Sequence, residues 1–69
     1  MTIEEINVGA EFVGTDMAGK EKNKYAKAKA VVTSKTSNSV ELYIFAMTSE
    51  GINSYQWLTL KDFNERFRL

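Results

Sequence analysis

The segment Gly14-Thr15-Asp16-Met17-Ala18-Gly19-Lys20 sets two glycines and a lysine at the spacing of a loop that wraps nucleotide phosphates, and the pattern breaks at the next residue. A serine or threonine there would ligate magnesium, whereas Glu21 turns a carboxylate towards anionic oxygens. The parallel sheet and second acidic strand that such nucleotide sites need do not fit in the rest of a 69-residue chain. The segment reads as a glycine-containing loop.

Other routes to chemistry are equally thin. The chain has no cysteine and no histidine, so it lacks a disulfide framework, the usual metal ligands and the commonest general base. Asp62 and Glu65 share a helical face, but beside Lys61 and Arg66 they read as solvated charges rather than as a metal pair. A serine and lysine dyad, or two carboxylates flanking a glycosidic bond, would need a desolvated cleft that so short a chain seldom encloses. The expectation is a protein without catalytic residues, metal or cofactor.

Formal charge is zero overall but uneven along the chain. Between Lys20 and Lys35 six lysines stand against Glu21, while residues 1 to 19 carry only acidic charges. Lys22, Lys24, Lys27 and Lys29 could therefore contact phosphates, with Tyr25 and Trp57 stacking on bases, as on single-strand binders. The opposing reading is a solvated strand and loop, because nucleic-acid binders usually carry a clear net positive charge.

Aromatic residues form the most informative pattern. A three-residue Ser49-Glu50-Gly51 connection, with glycine in the left-handed position, would set Phe45 opposite Tyr55 and Tyr43 opposite Trp57. That register places all four rings on one face and Val40, Leu42, Ile44, Ala46, Ile52 and Leu58 on the other. The rings then have two fates. Either Leu60, Phe63 and Phe67 of a last helix cover them as a second small core, or some stay exposed and anchor a contact, where Trp and Tyr contribute disproportionately. Phe45 and Phe63 lean to the covered role, and Tyr55 and Trp57, with polar ring edges, to the wet one.

The elements that would hold these residues follow from local chemistry. Thr2-Ile3-Glu4-Glu5 fits a capping box, giving one helical turn before Gly9, with Ile3 and Ile6 pointing the same way. Ala10 to Val13 reads as a first strand. Tyr25 to Val32 reads as a second, with Ala26, Ala28, Ala30 and Val32 inward, small enough for a tightly curled sheet. Thr33 to Ser39 has the Ser, Thr and Asn density of a turn. After the hairpin, Thr59 caps a short helix with Asp62 near its positive end.

At this length one core is available, burying about 60% of the surface the unfolded chain exposes. The N-terminus lacks the basic start and apolar stretch of a signal peptide, and no apolar run approaches the roughly 18 residues of a membrane span. A soluble, cytoplasmic protein with no membrane partner is the expectation.

Val8-Gly9-Ala10-Glu11-Phe12 and the closing Trp57-Leu58-Thr59-Leu60 with Phe63, Arg66 and Phe67 resemble small Src-homology-type β-barrel accessory proteins encoded by phages and prophages. The resemblance implies a compact protein acting by contact, on a host or phage protein or on nucleic acid, in the host cytoplasm. The sequence thus predicts one mainly β domain over residues 1–69: a strongly bent antiparallel sheet or partly open barrel of about four strands, with short N- and C-terminal helical turns. The expected contact residues are Tyr43, Tyr55 and Trp57. A homodimer is admitted, since a neutral chain repels its copies weakly, and Lys22, Lys24, Tyr25, Lys27 and Lys29 form the alternative nucleic-acid set.

Overall fold

The structure is a computed structural model that describes residues 1–16, 23, 25–45 and 53–69. Its first element is the 3-10 turn Ile3–Glu5. The Thr2 amide donates to the Glu5 carboxylate at 2.8 Å, and this bond holds the Glu5 carboxyl below its ordinary value. Being stabilised in its charged form, the carboxylate secures the turn above the ordinary glutamate pKa and releases it as pH falls through the lowered folded value. A side-chain NMR titration should find the Glu5 midpoint below that of an unstructured glutamate; a midpoint at or above it would dismiss the contact. Ile6 is fully buried and Ile3 packs against the same core, as their spacing implies.

Lys35 adds a tie that sequence did not suggest. Its ammonium donates to the carbonyls of Ile3 and Ile6 at 2.9 and 2.8 Å. Positive charge is favoured at the carbonyl end of a helical turn, where Ile3 O also accepts the Ile6 amide at 3.2 Å. Gly9 then turns the chain at φ 95°, a conformation glycine adopts without steric cost, and its amide donates to Val32 O at 2.8 Å.

Strands β1 (Glu11–Gly14), β2 (Lys29–Lys35), β3 (Ser39–Phe45), β4 (Ser54–Thr59) and β5 (Phe67–Arg68) are joined in the order β4-β3-β2-β1-β5. All pairings are antiparallel, and the five strands form a curled half-barrel sheet. The expected mainly β fold with short terminal helical turns is therefore found, with one strand more than about four. The extra strand is the pair Phe67–Arg68, which sequence assigned to the end of the helix and which instead closes on Val13 and Gly14.

Two further boundaries move. β2 begins at Lys29 rather than Tyr25, because residues 25–27 make a turn in which Ala28 N donates to Tyr25 O at 3.0 Å and Lys27 takes φ 66°. At its other end β2 runs past Val32 through a bulge, so that Val32 pairs with Leu42 but Ser34 with Glu41. Thr33 is the extra residue, and its hydroxyl donates to the Glu41 carboxylate at 2.9 Å. The turn proper shrinks to the four residues from Thr36 to Ser39, closed by Thr36 N donating to Ser39 O at 2.9 Å.

Alternation decides which side of the sheet becomes core. Val40, Leu42 and Ile44 of β3 and Ala30 and Val32 of β2 are buried on the concave face, with Ala28 just ahead of β2. Helix α1 (Leu60–Arg66), capped by Thr59 accepting from Asp62 N at 3.2 Å, lays Phe63 into that concavity. Phe63 meets Phe12 edge-on with centroids 4.8 Å apart and stacks on Phe67 at 5.8 Å, while Tyr25 lies 5.4 Å from Phe67. Ring pairs of this kind add about 0.5 to 1.5 kcal/mol beyond their burial.

Asn23 locks the open end of this core. Buried among backbone, its amide nitrogen donates to Thr15 O and Arg66 O, both at 2.9 Å, and its oxygen accepts from Tyr25 N at 3.0 Å. One side chain thereby joins the end of β1, the end of α1 and the turn before β2.

Candidate contact face

The convex side of the same strands carries the aromatic column. Tyr43 sits at its centre, edge-on to Phe45 at 5.0 Å along β3 and to Tyr55 at 4.8 Å across to β4. Tyr55 is 62% exposed, Trp57 51% and Phe45 40%. The four rings do share a face, as expected, but in a different register: Tyr43 pairs with Tyr55, and Trp57 with Glu41. A two-residue shift preserves the faces because side chains alternate with period two. The expected Ser49-Glu50-Gly51 connection, with Ala46 and Ile52, lies outside the described residues.

The helix does not cover these rings. Phe63 and Phe67 turn to the concave core with Phe12 and Tyr25, so Phe63 is covered, by partners other than the convex rings, and Phe45 is exposed. Helical spacing of Leu60, Phe63 and Phe67 indicated a shared side without indicating which sheet face it meets. The structure assigns that side to the concave one.

Charges frame the column. Lys29 stands opposite Phe45, Glu41 opposite Trp57, and Val31 separates Tyr43 from Glu11 in the next row. Three residues of the alternative nucleic-acid set are described. Lys29 is exposed on the ring-bearing face and Lys27 is exposed in the turn before it, whereas Lys22 and Lys24 lie outside the described residues. Tyr25 cannot stack on a base as that set requires, because its side chain is only 3% exposed and packs on Phe67.

No family model, curated protein or solved structure matches the chain.

What the arrangement offers to solvent is the apolar surface of its rings. Among the described residues there is no cavity, and no group of three or more carboxylate, histidine or cysteine side chains is placed to hold a metal ion. Gly14, the first residue of the phosphate-loop pattern, is a strand residue pinned between Ala28 and Lys27 by its backbone groups, at 2.9 and 3.0 Å. Gly19 and Lys20 of that pattern lie outside the described residues. Among the described residues no helix is long and apolar enough to cross a membrane.

Sequence reasoning missed Asn23 and Lys35 as organising residues. Asn23 carried only the general signal of a turn-forming residue. Lys35 was counted among the basic charges, and nothing local indicates that its amine reaches back about thirty positions to two carbonyls.

Proposed function

We propose that this protein is a non-enzymatic binding module that acts by protein–protein contact through its convex aromatic face, with Tyr43, Tyr55 and Trp57 as contact residues. The observation that carries the reading is the exposure of Tyr55 and Trp57 on a paired strand, beside Tyr43 and Phe45. Such rings offer large contact area with few rotatable bonds, and their polar edges tolerate a wet rim. Glu41 and Lys29 at the two ends of the column would orient a partner by charge. The Src-homology-type likeness of the terminal segments supports the further reading of a phage or prophage accessory protein working in the host cytoplasm.

Trp57→Ala is the test. Partner capture by the immobilised protein should weaken by roughly 30-fold, the effect of losing a central aromatic anchor. Stability should change by less than about 1 kcal/mol, since the ring is half exposed. A captured protein should be purified and titrated into isotopically labelled chain, where Tyr43, Tyr55 and Trp57 should show the largest shifts. Undiminished capture, or global unfolding of the variant, would sink the proposal.

Lys29 beside Phe45 favours a second reading, in which the same face takes single-stranded nucleic acid. Phosphate contacts make such binding fall steeply with salt. Oligonucleotide titrations that show no binding, or binding indifferent to salt, remove it.

A further inference from the structure

The two open edges of the half-barrel are unlike. β5 is two residues long and ends on Arg68. β4 is six residues long, has β3 as its one strand neighbour among the described residues, and pairs from Ser54 to Thr59 without a bulge. From Asn53 to Thr59 it carries no charge and no proline. Edge strands are ordinarily blunted by brevity, lysine, proline or a bulge, because unpaired backbone groups template a further strand. β4 has none of these devices, and it is the strand that presents Tyr55 and Trp57.

We propose that β4 pairs antiparallel with β4 of a second copy of this chain, about a two-fold axis at Gln56, so that the two half-barrels share one continuous sheet. This rests on the contact-face reading and names its occupant. Charge selects the copy: the strand is neutral along its length and the chain has zero net charge, so no like charges meet along the seam and no long-range repulsion opposes approach. Side-chain pattern selects the register. Gln56 is the midpoint of the uncharged stretch from Asn53 to Thr59, and pairing about it sets Tyr55 opposite the partner's Trp57 and Trp57 opposite the partner's Tyr55. Directly opposed aromatic pairs are favourable cross-strand neighbours. Each row of the convex face would then run from Tyr43 through Tyr55 to the partner's Trp57, making one aromatic patch across the seam.

Gln56 lies on the side of the strand away from the rings and would meet its own copy at the axis. Gln56→Lys and Gln56→Glu therefore each place like charges opposite one another only in the dimer. Sedimentation equilibrium of the full chain from about 10 µM to about 1 mM covers the range expected of a contact smaller than a standard interface. The wild type should dimerise, each charged variant should dissociate roughly fivefold to tenfold more readily, and an equimolar mixture of the two should regain the dimer. Because the chain has no cysteine, Gln56→Cys supplies a second variant: mild oxidation should yield a covalent dimer, and Glu65→Cys, on the exposed side of the helix, should not. A wild type that stays monomeric throughout overturns the self-pairing and leaves the contact face to be judged by Trp57→Ala with a foreign partner. A dimer indifferent to charge at position 56, charged variants that mixing does not rescue, or cross-linking no better from position 56 than from 65 would each overturn the β4 seam.

Discussion

Gly14→Ala is expected to lower the stability of the fold by about 3 kcal/mol or more. A Cβ built on Gly14 would overlap the backbone oxygen of Tyr25 and lie 3.1 Å from Ala26 N. The obstacle is backbone, so no rotamer change relieves it. Making room means parting β1 from the turn over residues 25–27, which breaks the bonds from Gly14 N to Ala28 O at 2.9 Å and from Lys27 N to Gly14 O at 3.0 Å. It also disturbs Gly14 opposite Phe67, half of the β1–β5 pairing. Overpacking with backbone displacement costs about 3 kcal/mol or more. Against a total stability of roughly 3 to 10 kcal/mol for a chain of this size, that loss is between about a third and all of the margin. Thermal unfolding by circular dichroism should show a midpoint lowered by at least about 12 °C. A variant melting within a few degrees of wild type would mean that the turn does not approach β1 as closely as described.

The second large effect is expected at Asn23. Truncation to alanine removes the acceptor for the buried Tyr25 amide and the donors to Thr15 O and Arg66 O. Arg66 O keeps one partner, the Thr15 amide at 2.8 Å, so the expected loss is less than three full bonds. Buried groups left without partners cost about 1 to 3 kcal/mol each, which places Asn23→Ala at about 2 to 4 kcal/mol. Asn23→Asp separates geometry from chemistry, because a carboxylate can still accept from Tyr25 but cannot donate to two carbonyls. Both variants should unfold at lower urea, with the m-value unchanged. An aspartate variant as stable as wild type would show that the two donated bonds contribute nothing.

These residues mark the boundary between what was readable in the sequence and what was not. Alternation over Val40, Leu42 and Ile44, and over Ala28, Ala30 and Val32, identified the buried face of the sheet, since a half-buried strand must repeat with period two. Caps at Thr2 and Thr59 were readable because their chemistry is complete within one helical turn. The fifth strand was not. Phe67 falls four positions after Phe63, so helical spacing and a closing strand predict the same buried ring, and only the pairing with β1 distinguishes them.

The same limit applies to the candidate site. Four rings on one face followed from alternation together with the parity of the expected pairing, and the conclusion survived a register error of two because that parity was kept. Whether the helix would cover them depended on which side of the sheet α1 reaches, a tertiary fact with no local marker. Tyr25 was misplaced for a related reason. Its neighbours alternate like a strand, but the turn at residues 25–27 aims its ring inward, and the left-handed conformation falls on Lys27, where no glycine announces it. Asn23 and Lys35 act through bonds to distant backbone, which residue type and spacing do not encode.

That β1 is bordered by β5 has a consequence during synthesis. Until Phe67 and Arg68 leave the ribosome, the nascent chain holds β1 with one side bare and the Phe12 pocket without Phe63. Translation at about 5 to 20 residues per second puts roughly 3 to 10 seconds between the two halves of that pairing. For that interval β1 and Phe12 lack the C-terminal partners that later bury them.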